Sequence, residues 1–293
     1  MAAAKDLAVV NAVRPLPLGE HQIGALLIDA GKLRPEHAEQ ILRAQKERGL
    51  RFGEAAVTLG LVTESDVQQV LSTQFSYSYL HNGDAGISRE VVAAYEPFSG
   101  QVERLRALRS QLLLRWVSPD RRMLAVVSPG RGDGRSYFAA NLAVVFSQLG
   151  ERTLLIDADM RRSRQHLLFN LPNRAGLSTR LAGRDAGDEV RRIPGLLHLS
   201  VLPAGPTPPN PLELIARSSF SRLVEEVAQE FDVVIVDTPA AEASSDGQTI
   251  AVRSGGALLL ARRNRSRPGD LLALSHAITT TGGQIVGAVL NNY

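Results

Sequence analysis

An apolar run at 123–127 opens directly into Ser-Pro-Gly-Arg-Gly-Asp-Gly-Arg-Ser, and an apolar, alanine-rich stretch follows. This junction constrains the fold more than any other part of the chain. Gly130, Gly132 and Gly134 permit a tight curl that residues with a Cβ resist. Successive N–H groups then point inward. With the positive end of the helix that follows, they form a cradle for phosphate. Ser136 stands where such a loop places its Mg²⁺-binding hydroxyl, and Arg135 stands where a lysine is expected. Taken alone, a glycine-rich strand–helix connection without a ligand also satisfies this pattern.

The surroundings narrow the choice. Beyond residue 100, strand-length apolar runs at 123–127, 153–157, 197–202, 231–237, 257–261 and 285–290 alternate with helical segments. The helices are expected at 101–116, 135–149, 211–230, 246–253 and 268–281. Such alternation predicts an α/β fold with a doubly wound, mostly parallel sheet covered on both faces. Ligands of such sheets sit at the carboxyl ends of the strands. Two strands end there in carboxylates: LLIDADMR carries Asp157 and Asp159, and VVIVDTPA carries Asp237. A strand-ending aspartate is by itself as readily a turn or cap residue. The loop and these two segments, in this order, bring carboxylates beside the phosphate cradle, as Mg²⁺ and a phosphoryl acceptor require.

The N-terminal part is built differently. Residues 1–18 read as a loose, alanine-rich tail. From 19 to 75 the chain repeats: Gly24 recurs as Gly53, Gly31 as Gly60 and Gln45 as Gln74, each 29 positions on. Each copy predicts two short helices separated at a glycine C-cap, Gly31 or Gly60. Pro35 and Thr63-Glu64-Ser65 mark the second starts. Residues 76–98, with Asn82-Gly83, Asp84, Gly86 and Pro97, read as a linker with a short helix near 91–95, leaving 99–293 as the second domain.

Composition removes several function classes. There is no cysteine, so disulfides and thiolate zinc sites are excluded. A formal net charge of +3 gives no argument for nucleic acid, although the pI is about 9.5. The clusters Arg104/Arg106/Arg109/Arg115 and Arg161/Arg162/Arg164 fit solvated faces as well as anion sites. No apolar run is long enough to span a bilayer. The expectation is therefore a cytoplasmic protein, with any association with the inner membrane made through a partner.

With these motifs in place, residues 100–293 resemble the cytoplasmic domain of bacterial tyrosine kinases, in the deviant P-loop group related to MinD and ParA. The loop and the two carboxylate-ending segments match that family's Walker A, Walker A′ and Walker B motifs. Glu103, Arg106 and Arg109 match its E-x-x-R-x-x-R motif, and GLSTRLAG and LPAGPTPPNPLELI fit its pattern too. The resemblance implies ATP and Mg²⁺ as cofactors. It places Gly130, Arg131, Gly132, Asp133, Gly134, Arg135, Ser136 and Tyr137 around the phosphates, with Arg262 near the base. Ser136, Asp159 and Asp237 would surround the metal. Arg135, Asp157 and Asp159 would serve catalysis, with Asp157 assisting the metal or the tyrosine hydroxyl. Glu103, Arg106 and Arg109 would make the subunit contacts of a homo-oligomer. A membrane chain-length-determinant protein of polysaccharide export would be the partner.

This chain departs from the family at three points. Arg135 replaces the lysine, Tyr137 replaces a small hydroxyl residue, and Tyr293 stands as a single candidate phosphosite where the family carries a cluster of tyrosines. Residues 22–74 in turn resemble the N-terminal domain of type II secretion and pilus ATPases. That implies a cyclic di-GMP site at Gln22, Gly24, Arg51, Phe52 and Gly53, with the first copy lacking the arginine that the second keeps; a helical protein-docking domain is the other reading. The function implied is an ATP-dependent protein-tyrosine (auto)kinase regulating exopolysaccharide biosynthesis, chain length or export. A non-catalytic, ATP-binding regulatory subunit of the same machinery and a MinD/ParA-like ATPase are the alternatives.

Overall fold

The computed structural model describes residues 21–64, 66, 67, 70, 80, 86–184, 187 and 189–292. The expected tail at 1–18, Ser65, Gln74, Asn82-Gly83, Asp84 and Tyr293 lie outside the described residues. The chain divides into two compact units, Met1–Ser76 and Tyr77–Tyr293.

In the first unit, helices His21–Asp29, Ala38–Arg48 and Phe52–Thr58 surround a core of Leu27, Ile41, Phe52, Ala55 and Ala56. Gly31 and Gly60 take left-handed φ values of 67° and 68°, as helix-ending glycines do. A reciprocal cap marks the last start: Thr63 Oγ1 accepts the N–H of Asp66 at 3.1 Å, and Asp66 Oδ2 accepts that of Thr63 at 3.0 Å. The repeated glycines Gly24 and Gly53 have a packing role. A Cβ on Gly24 would lie 2.9 Å from the Phe52 ring, and one on Gly53 would lie 2.8 Å from the Val67 side chain.

The second unit is a seven-stranded sheet. Its strands are β1 (Met123–Val127), β2 (Thr153–Asp157), β3 (Arg191–Ile193), β4 (Leu196–Leu202), β5 (Val233–Asp237), β6 (Gly256–Arg262) and β7 (Gln284–Asn291). They are ordered β3-β4-β2-β5-β1-β6-β7. All pairings are parallel except β3 with β4. Strands β1, β2 and β5 are buried along their whole length, which explains their unbroken apolar runs. On one face lie helix Arg135–Ser147, nearly all of it buried, and helix Gly100–Arg115. On the other face lie Ser218–Glu230, Asp246–Arg253 and Pro268–Thr280.

Three local expectations differ from the structure. The helix expected over 211–230 is two, Pro211–Ala216 and Ser218–Glu230, because Arg217 is extended at φ −69°, ψ 159°. Strand β3 and the short helices Gln165–Leu168 and Leu177–Leu181 were not expected. Within 76–98, read as a linker, residues 86–98 pack into the second unit. Val91, Ala93 and Ala94 are fully buried there. Asn141 Oδ1 accepts the N–H of Ala93 at 2.9 Å, Asn141 Nδ2 donates to the Glu90 carbonyl at 2.9 Å, and Gln148 Nε2 donates to the Ala93 carbonyl at 2.8 Å. Turn residues on both sides hide these few apolar positions from a periodicity reading.

Candidate nucleotide-binding site

The glycine loop sits at the carboxyl end of β1, flanked by β5 and β6. Gly132 and Gly134 adopt positive φ of 74° and 96°. Asp133 is almost fully buried and ties the loop together: Oδ2 accepts the N–H of Gly130 at 2.8 Å and Oδ1 accepts the Ser266 hydroxyl at 3.1 Å. Glu242 Oε1 accepts the N–H of Arg131 at 2.8 Å. Asn291 Nδ2 and Arg262 Nη1 donate to the carbonyls of Asp133 and Gly132 at 3.0 and 2.8 Å. The amides of Gly130 and Arg131 are therefore given to carboxylates, and the cradle narrows to the turn from Gly132 to Ser136.

A cavity of about 550 Å³ opens over this turn. Its lining includes Gly132, Gly134, Ser136, Tyr137 and six arginines: Arg131, Arg135, Arg161, Arg162, Arg164 and Arg262. Glu90 and Asp159 are the acidic residues that line it. Six guanidiniums against two carboxylates favour a polyanion. Arg161, Arg162 and Arg164 thus line the cavity while staying exposed to solvent. Arg161 pairs with the buried Asp246, and Arg164 Nη2 donates to both carboxylate oxygens of Glu90 at 2.7 Å.

Behind the cavity, Asp157 and Asp237 lie side by side on β2 and β5. Asp157 is fully buried. Its Oδ2 accepts the N–H groups of Arg164 and Gln165 at 2.8 and 2.9 Å, and its Oδ1 accepts that of Asp159 at 3.2 Å. Burial, and then the charge of Asp237, push its carboxyl well above the ordinary range. Asp157 thus holds the turn that carries Asp159, and Asp159 is the one that reaches the cavity. Asp237 is also fully buried and accepts Gln165 Nε2 at 2.8 Å. Burial pushes it up to about 6, opposed by hydrogen bonds from Gln165 and Ser136 and by the charge of Arg135.

Among the described residues, Asp237 Oδ1 has no hydrogen-bond partner, and no cluster of three or more His, Asp or Glu side chains forms a metal cage. The unpartnered, buried carboxylate oxygen suits Mg²⁺, which takes one or two protein ligands and completes its shell with phosphate and water. The residues fit that ion: Ser136, Asp237 and Asp159 are the donors available.

Other expected residues have mixed placements. Tyr137 Oη accepts Gln101 Nε2 at 2.7 Å, on helix Gly100–Arg115. On that helix Arg106 meets Glu103 at 3.3 Å, and Arg109 Nη1 donates to the Val145 carbonyl at 2.7 Å, an intrachain anchor. In the first unit Arg51 is exposed and gives its backbone N–H to Glu54 at 2.9 Å. Gln22 lies in helix His21–Asp29, with its side chain outside the described residues. Sequence reasoning missed Gln165, Glu90, Glu242 and Asp246. None of them belongs to a motif, and only their distant partners reveal them.

A glycine loop after an interior strand of a mostly parallel sheet, facing strand-ending carboxylates, defines a P-loop nucleotide-binding domain. No protein-family model matches the chain. A putative tyrosine-protein kinase, CapB, of Staphylococcus aureus is 34% identical over 196 residues, covering 67% of this chain and 86% of the relative. The tyrosine-protein kinase YwqD of Bacillus subtilis is 34% identical over 212 residues, covering 72% and 89%. Among solved structures, the kinase domain of Escherichia coli tyrosine kinase ETK aligns with a TM-score of 0.67 at 31% identity, over 72% of this chain and 82% of that one. The cell division ATPase MinD of Pyrococcus furiosus, with a TM-score of 0.52 and 23% identity over 58% of this chain and 72% of that one, shares the fold. The chain belongs to the bacterial tyrosine kinase family.

Proposed function

We propose that this chain is an ATP-dependent protein-tyrosine kinase that regulates exopolysaccharide production. The observation that carries the reading is the juxtaposition of Ser136, Asp159 and the buried Asp237 with the arginine-lined cavity, in a chain 34% identical to named tyrosine-protein kinases. ATP supplies the phosphoryl group, and Mg²⁺ neutralises charge on its phosphates. The chain's own residues bind and orient. The turn at Gly132–Ser136 would cradle phosphate, and Arg161, Arg162 and Arg164 would offset its charge. Asp159 and Asp237 would hold the metal's shell, and Asp157 would fix Asp159 in place. Arg262, on the Gly132 carbonyl, stands on the side proposed for the base.

The likeness to capsule-region kinases, including one from the cps region of Klebsiella pneumoniae at 28% identity, supports a role beside a membrane chain-length-determinant protein. Among the described residues no helix is long and apolar enough to cross a membrane. In this reading the partner brings the chain to the cytoplasmic face of the membrane, and the exposed Glu103 and the half-buried Arg106 contribute to a homo-oligomer. The first unit is a cyclic di-GMP sensor through Arg51, with Gly24, Phe52 and Gly53 as its packed scaffold.

Titration with Mg-ATP followed by anti-phosphotyrosine detection tests the function. Phosphotyrosine that disappears with Asp159→Asn supports it. Tight nucleotide binding without phosphotyrosine, even with the partner's cytoplasmic segment added, would establish the regulatory-subunit alternative instead.

A further inference from the structure

Arg135 occupies the position at which the P-loop motif expects a lysine, and the surroundings are built for its shape. The side chain is 8% exposed. Its Nε donates to the Thr238 carbonyl at 2.8 Å, and its Nη1 donates to the Gly130 carbonyl at 2.7 Å and to the Ser128 hydroxyl. These acceptors belong to three segments: the residue after β5, the glycine loop, and the residue after β1. Thr238 is itself held, its hydroxyl donating to the Val126 carbonyl at 2.7 Å. Among the described residues no acceptor meets Nη2, while Arg135 lines the cavity and its charge is felt at Asp237.

We infer that Arg135 is a fixed, two-ended fork: Nε and Nη1 brace the loop against β1 and β5, and Nη2 with the delocalised charge serves the nucleotide's phosphates. The inference rests on the nucleotide reading above. A guanidinium can divide these tasks because its five N–H groups leave a rigid plane in different directions. A lysine ammonium gathers its donors on one nitrogen. At this position it would either reach the phosphate or satisfy Ser128, Gly130 and Thr238, leaving the other side unpaired. Restoring the usual P-loop lysine should therefore weaken this site.

The test is calorimetric binding of Mg-ATP to the full chain as wild type, Arg135→Lys, Ser128→Ala and the double variant, with the nucleotide-free melting of each recorded. Arg135→Lys is expected to bind roughly tenfold more weakly or worse, the scale of one lost charge-assisted bond. Ser128→Ala should weaken binding severalfold in the wild type and add nothing once Arg135 is lysine. Equal or tighter binding by Arg135→Lys overturns the inference. If that variant does not fold, Ser128→Ala decides: wild-type affinity would overturn the fork. Failure of the wild type to bind Mg-ATP would instead remove the nucleotide reading itself.

Discussion

Replacing Asp237 by asparagine should stabilise the nucleotide-free protein near neutral pH while removing its response to magnesium. Asp237 is fully buried, its Oδ1 lacks a partner among the described residues, and its carboxyl ionises at about 6 instead of 3.8. The folded state therefore keeps a proton that the unfolded chain releases between those values. Stability from this group is full below about 4 and falls as pH rises through 6. Once ionised, the group costs the folded state about 3 kcal/mol. Asparagine has nearly the same shape and no charge, and its carbonyl can still accept Gln165 Nε2. At pH 8, without metal or nucleotide, Asp237→Asn should melt roughly 6–12 °C higher, given about 2–4 °C per kcal/mol for a unit of this size. At pH 4.5, where the unfolded carboxyl is already mostly ionised, the difference should shrink to about 1 kcal/mol, roughly 2–4 °C. The assay is thermal unfolding from pH 4.5 to 8 in chelator, repeated with Mg-ATP, which should raise the wild type much more than the variant. A variant no more stable than wild type at pH 8, or one that keeps the full Mg-ATP shift, would refute the reasoning.

Other outcomes follow from the same geometry. Gln165→Leu strips the Asp237 carboxylate and the Ser136 carbonyl of a shared donor; denaturant unfolding should show a loss of about 1–3 kcal/mol, and the Mg²⁺ requirement for ATP binding should rise. Asn141→Leu leaves the Ala93 amide and Glu90 carbonyl unpaired and should cost a further about 1–3 kcal/mol each by the same measurement. Proteolysis should then enter first at 86–98. Gly24→Val drives a branched side chain into the Phe52 ring and should destabilise the first unit by about 1–3 kcal/mol. Calorimetry should show that unit's transition moving while the Mg-ATP response of the second unit stays in place.

Much of the fold was legible because its signals are local. Strands β1, β2 and β5 are buried on both faces, so each reads as an unbroken apolar run ending at a carboxylate. Gly31 and Gly60 end helices for a reason visible in their own backbone. What escaped depends on distant partners. The single break at Arg217 lies between two helix-forming stretches, so periodicity ran through it. The residues at 86–98 look like a linker until Asn141 and Gln148, some fifty positions away, accept and donate to their backbone. Motif matching likewise placed Asp157, Asp159 and Asp237 at one end of the sheet. It did not show that Asp157 is turned to three backbone amides, or that Gln165 bridges Asp237 and the loop. In the sequence Arg135 is only a departure from the expected lysine, and the acceptors at Ser128, Gly130 and Thr238 show what its shape serves.

The most direct measurement of the central claim is transfer of labelled phosphate from the γ-position of ATP to tyrosine by the purified full chain, with Mg²⁺ and the cytoplasmic segment of the membrane partner present. The account predicts phosphotyrosine that requires Mg²⁺ and is lost in Asp159→Asn. Saturable ATP binding with no labelled tyrosine in the wild type would contradict it.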